Sequence, residues 1–158
     1  MTEVHPFLWF DDQAEAAANH YTSIFDDGRI TRIKKNGSAG PGEPGTVLTV
    51  DFELAGLRFT ALNAGPQFPF TEAVSIMVTV DTQEELDRYW AALIADGGEP
   101  GPCGWLKDKF GLSWQIFPKL WWELRYDGEP AKSEAIMAAM LKMGKIESSV
   151  IQEVYDNA

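Results

Sequence analysis

Few side chains in this sequence could do chemistry, and each has a structural competitor. There is one cysteine, Cys103, in Pro102-Cys103-Gly104-Trp105, and there are two histidines, His5 and His20. A thiol attacks as the thiolate, so a catalytic Cys103 needs a base or a cation beside it to lower its pKa. With only two histidines to serve, a small buried apolar residue is the better reading of Cys103. His20 falls on the polar flank of a helix and is set aside. His5 precedes Pro6 and opens an apolar run, which suits a strand-start or surface residue better than a ligand. Asp11, Asp12 and Asp81 look like a carboxylate set, yet each stands at a helix start, where capping explains it. Asp26 and Asp27 sit at a helix end and receive no function. Gly40-Pro41-Gly42-Glu43-Pro44-Gly45 matches G-x-G-x-x-G by letter. It precedes a strand instead of opening a helix and holds two prolines, so it reads as a loop.

The elements that must position these residues follow a repeated pattern. Residues 5–10 read as a short strand. Asp11-Asp12 can cap a helix over 13–25, with Glu15 in capping-box position to Asp12. Ala17, Tyr21 and Ile24 then share one face, with Ala14 and Ala18 beside them. Three strands are expected next, Arg29–Lys35, Thr46–Leu54 and Arg58–Asn63. The second alternates, with Val50, Phe52 and Leu54 on one face and Thr49, Asp51 and Glu53 on the other, as in a strand buried on one side. The order is βαβββ. A Gly/Pro connector over 64–72 leads to a second such unit: strand Val74–Val80, cap Asp81-Thr82, helix Gln83–Ala95, stop Asp96-Gly97-Gly98, and shorter strands around Gly101–Lys107 and Leu112–Phe117. At an offset of 70 residues, Asp11 meets Asp81, Gln13 meets Gln83, Glu15 meets Glu85, Ile24 meets Ile94, Asp26 meets Asp96 and Gly28 meets Gly98. The preserved strand–cap–helix–stop lengths favour duplication over convergence of caps. The expected organisation is a first module over 1–63, a connector over 64–72, a second module over 73–118 and a helical extension over 119–158. In that extension, 131–143 and Glu147–Tyr155 carry helical patterns. Trp121-Trp122 and the Met-rich tail are expected to cover the sheet or build a dimer contact.

Composition narrows the function classes. The chain has 13 basic and 24 acidic residues, a net charge of −11. Nucleic-acid binding relies on Lys and Arg neutralising phosphate, so it is disfavoured, as is an anionic membrane surface. No apolar run reaches the ~18–20 residues needed to span a bilayer. The N-terminus shows no signal-peptide pattern, and a lone cysteine suits a reducing cytoplasm.

Three stretches, PFLWFDDQAEAAANHYTSIF, LNAGPQFPFTEAVSIMV and CGWLKDKFGLSWQIFP, together with the closing MLKMGKIE, carry a resemblance over nearly the whole chain. They closely resemble the PhnB-like branch of the vicinal oxygen chelate superfamily, whose members include glyoxalase I and the extradiol dioxygenases. Proteins of this branch are often labelled 3-demethylubiquinone-9 3-methyltransferase. The resemblance implies an α+β fold: two βαβββ modules with curved, antiparallel-rich mixed sheets around a cavity, plus C-terminal helices. Dimers, sometimes with exchanged modules, are usual in the superfamily. No strand–Gly-loop–helix arrangement for S-adenosylmethionine is found, so the methyltransferase label receives no support from the residues.

Active superfamily members hold a divalent metal on His and Glu ligands from the first and last strand of each module, where it acts as Lewis acid and template. By similarity, the first-strand positions fall on His5 and Ser75. The last-strand positions fall on Ala61, with Asn63 two residues on, and on Gln115. Only His5 is a strong ligand, and neutral amides and hydroxyls hold transition metals poorly. No cofactor is therefore expected, and His5 is the one weak metal candidate. Gln115 is expected to make structural hydrogen bonds or to orient a polar ligand atom. The strand parity of His5 includes Phe7 and Trp9, and across the repeat Ser75, Met77 and Thr79. The parity of Gln115 includes Ser113 and Phe117. With Asn63 and Trp105 these residues would line an apolar cavity with a few polar groups, the usual form of a small-molecule site; the competing reading is a filled core. The expected function is small-molecule binding without a tight metal, with a metal-assisted lyase, isomerase or dioxygenase-type enzyme as the alternative. Whether catalysis occurs, and on what, is left open by the sequence.

Overall fold

A computed structural model describes residues 1–158, with every side chain but that of Asp127. The chain divides into two compact units, Met1–Phe70 and Thr71–Ala158. In the first, β1 (Phe7–Phe10), α1 (Ala14–Ile24), β2 (Arg29–Lys35), β3 (Val47–Leu54) and β4 (Leu57–Asn63) follow one another. They build a four-stranded sheet in the order β1-β4-β3-β2, with β1 parallel to β4 and the other pairs antiparallel. The alternation of β3 sets its two faces. Val50, Phe52 and Leu54 are buried with Phe59 and Ala61 of β4, Leu8 and Phe10 of β1, and Ala14, Ala17, Ala18, Tyr21 and Ile24 of α1. Phe52 and Phe59 stack at 5.1 Å, and each such fully buried ring contributes about 2 kcal/mol of hydrophobic stabilisation. The opposite, helix-free side of the sheet is called here the open face.

The start of α1 differs from expectation. Its N-cap residue is Gln13, which makes no side-chain cap, so the Asp12/Glu15 capping box does not form. Asn63 takes that role from across the sheet: its Oδ1 accepts from the Ala14 N–H at 2.8 Å, and its Nδ2 donates to the Val47 carbonyl. A helix end needs acceptors for its free N–H groups, and a neighbouring strand end supplies one as well as a local residue does.

The second unit holds β5 (Ser75–Val80), α2 (Gln83–Ile94), β6 (Glu99–Pro100), β7 (Trp105–Lys107) and β8 (Ser113–Pro118). The sheet order is β5-β8-β7-β6, with β5 parallel to β8. Here the local capping box does form, between Thr82 and Glu85. Leu86, Trp90 and Leu93 of α2 are buried, as are Leu106, Trp114 and Ile116 on the strands. After β8 the chain continues through α3 (Lys119–Trp122), a π-helical turn over Glu123–Asp127, α4 (Pro130–Met140) and α5 (Ser148–Asn157). The short helix and π-turn were not legible as elements in the sequence. The tail is clamped to α2 by Gln83, which donates to the Ile146 carbonyl and accepts from Ser148 N, and by the Lys145–Asp87 ion pair.

The repeated glycines have a shared cause. A Cβ on Gly28 would lie 2.6 Å from the backbone of Thr22, and one on Gly98 would lie 2.5 Å from Ile94 Cα. Both chains leave their helix so closely that no side chain fits. The register repeats as well: Phe7 pairs with Thr60, and Met77, 70 residues after Phe7, pairs with Gln115.

Candidate functional site

The open face of the first unit carries a hydrogen-bonded chain of three side chains. His5 Nε2 lies 3.0 Å from Thr60 Oγ1, and Thr60 Oγ1 donates to Asp51 Oδ1 at 2.7 Å. Strand pairing brings them together, since Thr60 faces Asp51 across β3–β4 and Phe7 across β1–β4. Asp51 is buried. Its other oxygen accepts from Arg32 Nε at 2.9 Å and from Arg58 Nη2 at 3.3 Å. Burial pushes the Asp51 carboxyl up, but the Thr60 and Arg32 hydrogen bonds and the charges of Arg32 and Arg58 outweigh it, leaving its pKa below the usual value.

The proton positions in this chain follow from valence. An ionised carboxylate only accepts, so the single hydroxyl hydrogen of Thr60 goes to Asp51. Thr60 can then only accept from His5, which puts a proton on Nε2. In the neutral imidazole Nδ1 is bare, and it has no hydrogen-bond partner among the described residues.

The equivalent positions of the second unit are neutral. Gln115 Nε2 donates to Ser75 Oγ at 2.9 Å. Ser75 pairs with Ser113, Lys107 with Ser113 and Trp105 with Gln115, so these side chains share the sheet face opposite the buried Leu106, Trp114 and Ile116, the open face of the second unit. Ser113 is buried, yet its hydroxyl has no partner among the described residues. It lines a pocket of about 130 Å³ with Trp105, Lys107 and Glu72. Lys107 Nζ and Glu72 Oε1 form an ion pair, which raises the lysine pKa and lowers that of the glutamate.

Of the residues singled out from sequence, His5, Phe7 and Trp9 share the open face of the first unit. Ser75, Met77, Trp105, Ser113, Gln115 and Phe117 share that of the second by the same pairing. Phe7 and Met77 are exposed, whereas Phe117 is buried beside Trp121 and Trp122 at 5.7 and 5.8 Å. Ala61, read as a ligand position, needs correction. It pairs with Leu8 and Val50 and is fully buried on the helix side. Alternation sends neighbours to opposite faces, so the open-face position is Thr60, one residue earlier. Asn63 shares the helix-side parity of Ala61, and its amide is spent on Ala14 and Val47. Cys103, expected to be buried, is half-buried at φ +58, with Sγ 3.9 Å from the Leu141 carbonyl.

Sequence reasoning missed Thr60, Asp51, Arg32, Arg58 and Lys107 as site residues. The available signal was Asp51 itself, a carboxylate in the middle of a central strand. Asn36 was missed too. It is buried and organises the GPGEPG loop, bonding Thr46 Oγ1 and accepting from Gly42 N. That loop borders a cavity of about 1160 Å³ at the end of the first unit, with Trp9, Asn63 and Asp12 also on its wall. Neither His5 nor Thr60 lines it, so the wider space and the hydrogen-bonded chain are separate features.

The donor set does not fit a tightly held divalent metal. The four repeat-related positions are His5, Thr60, Ser75 and Gln115, and His5 already commits Nε2 to Thr60. Among the described residues no group of three His, Cys, Asp or Glu side chains could hold a metal ion. Hydroxyls and an amide without carboxylates make weak sites for transition metals.

The model of a family described as 3-demethylubiquinone-9 3-methyltransferase matches residues 2–117. The chain is 37% identical to a PhnB protein from Bacillus cereus described under the same methyltransferase name; the match covers 74% of this chain and 99% of that one, with a TM-score of 0.66. Two further solved structures share the fold at 17% identity. A glyoxalase/bleomycin resistance protein from Albidiferax ferrireducens has a TM-score of 0.50, covering 74% of this chain and 98% of its own. The fosfomycin resistance protein FosX from Listeria monocytogenes has a TM-score of 0.51, covering 75% and 93%. No curated protein matches the chain. No helix among the described residues is long and apolar enough to cross a membrane. The methyltransferase name is not backed by the residues, whose G-x-G-x-x-G match is the loop wrapped around Asn36. The protein belongs to the 3-demethylubiquinone-9 3-methyltransferase family of PhnB-like proteins.

Proposed function

We propose that the protein binds a small molecule on the open face of its second unit, without a tightly held metal. The observation that carries this reading is Ser113, a buried hydroxyl with no protein partner that lines a pocket. A buried polar group normally finds a hydrogen bond, and leaving one unmade costs about 1–3 kcal/mol. A ligand atom that accepts from or donates to Ser113 Oγ recovers that cost. The pocket of about 130 Å³ equals the liquid share of about four waters at ~30 Å³ each. It therefore takes one end of a ligand, a polar group of a few non-hydrogen atoms, with the rest lying against Trp105 and Met77. Gln115 and Ser75, bonded to each other, stand beside it to orient a second polar atom.

A second copy of the chain is the proposed macromolecular partner. Strands β1 and β5 are each an edge of their own sheet, and pairing with a second copy would cover those edges. The single thiol suits a reducing cytoplasm.

The test is a thermal-shift panel of short hydroxy acids, amides and diols on wild type and Ser113→Val. Compounds that raise Tm in the wild type are expected to lose the shift in the variant, which itself folds at least as stably because it removes an unsatisfied hydroxyl. Equal shifts in both proteins would contradict the site.

A further inference from the structure

We propose that Asp51, Thr60 and His5 form a metal-free proton-acceptor site in the first unit, with the bare Nδ1 of His5 as the base. The arrangement has the logic of a base oriented by a third group: a hydroxyl holds the imidazole in one tautomer, and a carboxylate holds the hydroxyl. Asp51 does not serve as the base itself. It is buried, and its two oxygens are occupied by Thr60, Arg32 and Arg58. His5 is half-buried, so its free nitrogen is within reach of a ligand. Thr60 and Asp51 are positioning residues. Removing either releases the tautomer without removing the base.

The step needs no further reactant. A C–H or O–H bond of the ligand breaks, its proton goes to Nδ1 and its electron pair stays on the ligand. The imidazolium keeps its Nε2–H on Thr60, and the Asp51 carboxylate lies one hydroxyl away from the new positive charge. The charged groups gathered around the chain are Asp51 from β3, Arg58 from β4, Arg32 from β2 and Glu3 from the N-terminal segment, the last paired with Arg58. The two guanidiniums are matched by the Asp51 and Glu3 carboxylates, so the surroundings of the base carry no net charge before the proton arrives. Phe7, exposed on the same face, offers that ligand an apolar contact. The substrate class is a small carbon acid, with a C–H beside an electron-withdrawing group.

Two readings test the assignment on the full chain. Long-range 15N–1H correlation of the imidazoles, at a pH where they are neutral, reports which nitrogen carries hydrogen; His5→Gln identifies the His5 signals against those of His20. The expected result is the Nε2–H tautomer in wild type, relaxing to a mixture in Thr60→Val. The second reading is proton abstraction from the carbon-acid probe 5-nitrobenzisoxazole. The wild type is expected to exceed His5→Gln at least about tenfold, toward the range of a positioned general base, with Thr60→Val between them. An Nδ1–H tautomer in wild type, or a His5→Gln rate equal to wild type, overturns the proposal. Failure of ligand binding at Ser113 would leave both readings unchanged, because these residues all belong to the first unit.

Discussion

Asp51→Asn is expected to destabilise the protein by about 2–3 kcal/mol, just below what breaking a fully buried charge pair costs. Arg32 and Arg58 are partly solvated and can turn to water, which keeps the loss below the figure for a fully enclosed pair. The amide cannot accept from Thr60 and two guanidiniums as a carboxylate does, and its own N–H group faces donors. The pH dependence has a definite sign. The folded pKa of Asp51 is lowered from its ordinary value of 3.8 despite burial, because Thr60 and Arg32 hydrogen-bond to the ionised form. Its contribution is therefore fully present above about pH 4 and is lost as pH falls through the folded value. Urea unfolding of wild type and Asp51→Asn at neutral pH and near pH 3 checks both statements. The gap between their midpoints should be wide at neutral pH and narrower in acid. A gap that widens in acid would contradict the assignment.

Asp108→Ala is expected to cost about 3–5 kcal/mol. Asp108 is buried at the β7–β8 turn and accepts from Phe110 N at 2.8 Å, Leu112 N at 3.1 Å and Trp114 Nε1 at 2.9 Å. Its loss leaves three donors to be satisfied, two of them on residues buried in the core, and each unmade bond there costs about 1–3 kcal/mol. The same turn carries Gly111 at φ +87, so the backbone has little freedom to find new acceptors. Asp108→Asn retains one acceptor oxygen and should fall between wild type and alanine. Denaturant midpoints with tryptophan fluorescence follow both variants. A cost within 1 kcal/mol for the alanine variant would show that the turn holds without its carboxylate.

Much of this architecture was legible because periodicity and packing agree. The strand over Arg29–Lys35 has the bounds expected from sequence. Val50, Phe52 and Leu54 face the helix as their alternation requires. The capping of α1 was not legible, because Asn63 reaches Ala14 from 49 residues away, and sequence spacing cannot reveal a contact of that kind. The site was legible in part for the same reason. Parity along one strand placed His5, Phe7 and Trp9 together. Choosing between Thr60 and Ala61 required the register of two strands, and an error of one residue exchanges the faces. The unsatisfied hydroxyl of Ser113 depends on what surrounds it, and no property of the serine itself announces it.

Holding a divalent metal tightly depends on side chains that donate strongly, and here His5, Thr60, Ser75 and Gln115 offer an imidazole, two hydroxyls and an amide. Equilibrium dialysis of the full chain against micromolar Zn²⁺, Ni²⁺, Co²⁺ and Mn²⁺, read by elemental analysis, tests that account most directly. The prediction is that bound metal stays far below one equivalent for every ion and does not change in His5→Gln. One equivalent of any of them, retained in the wild type and lost in His5→Gln, would contradict it.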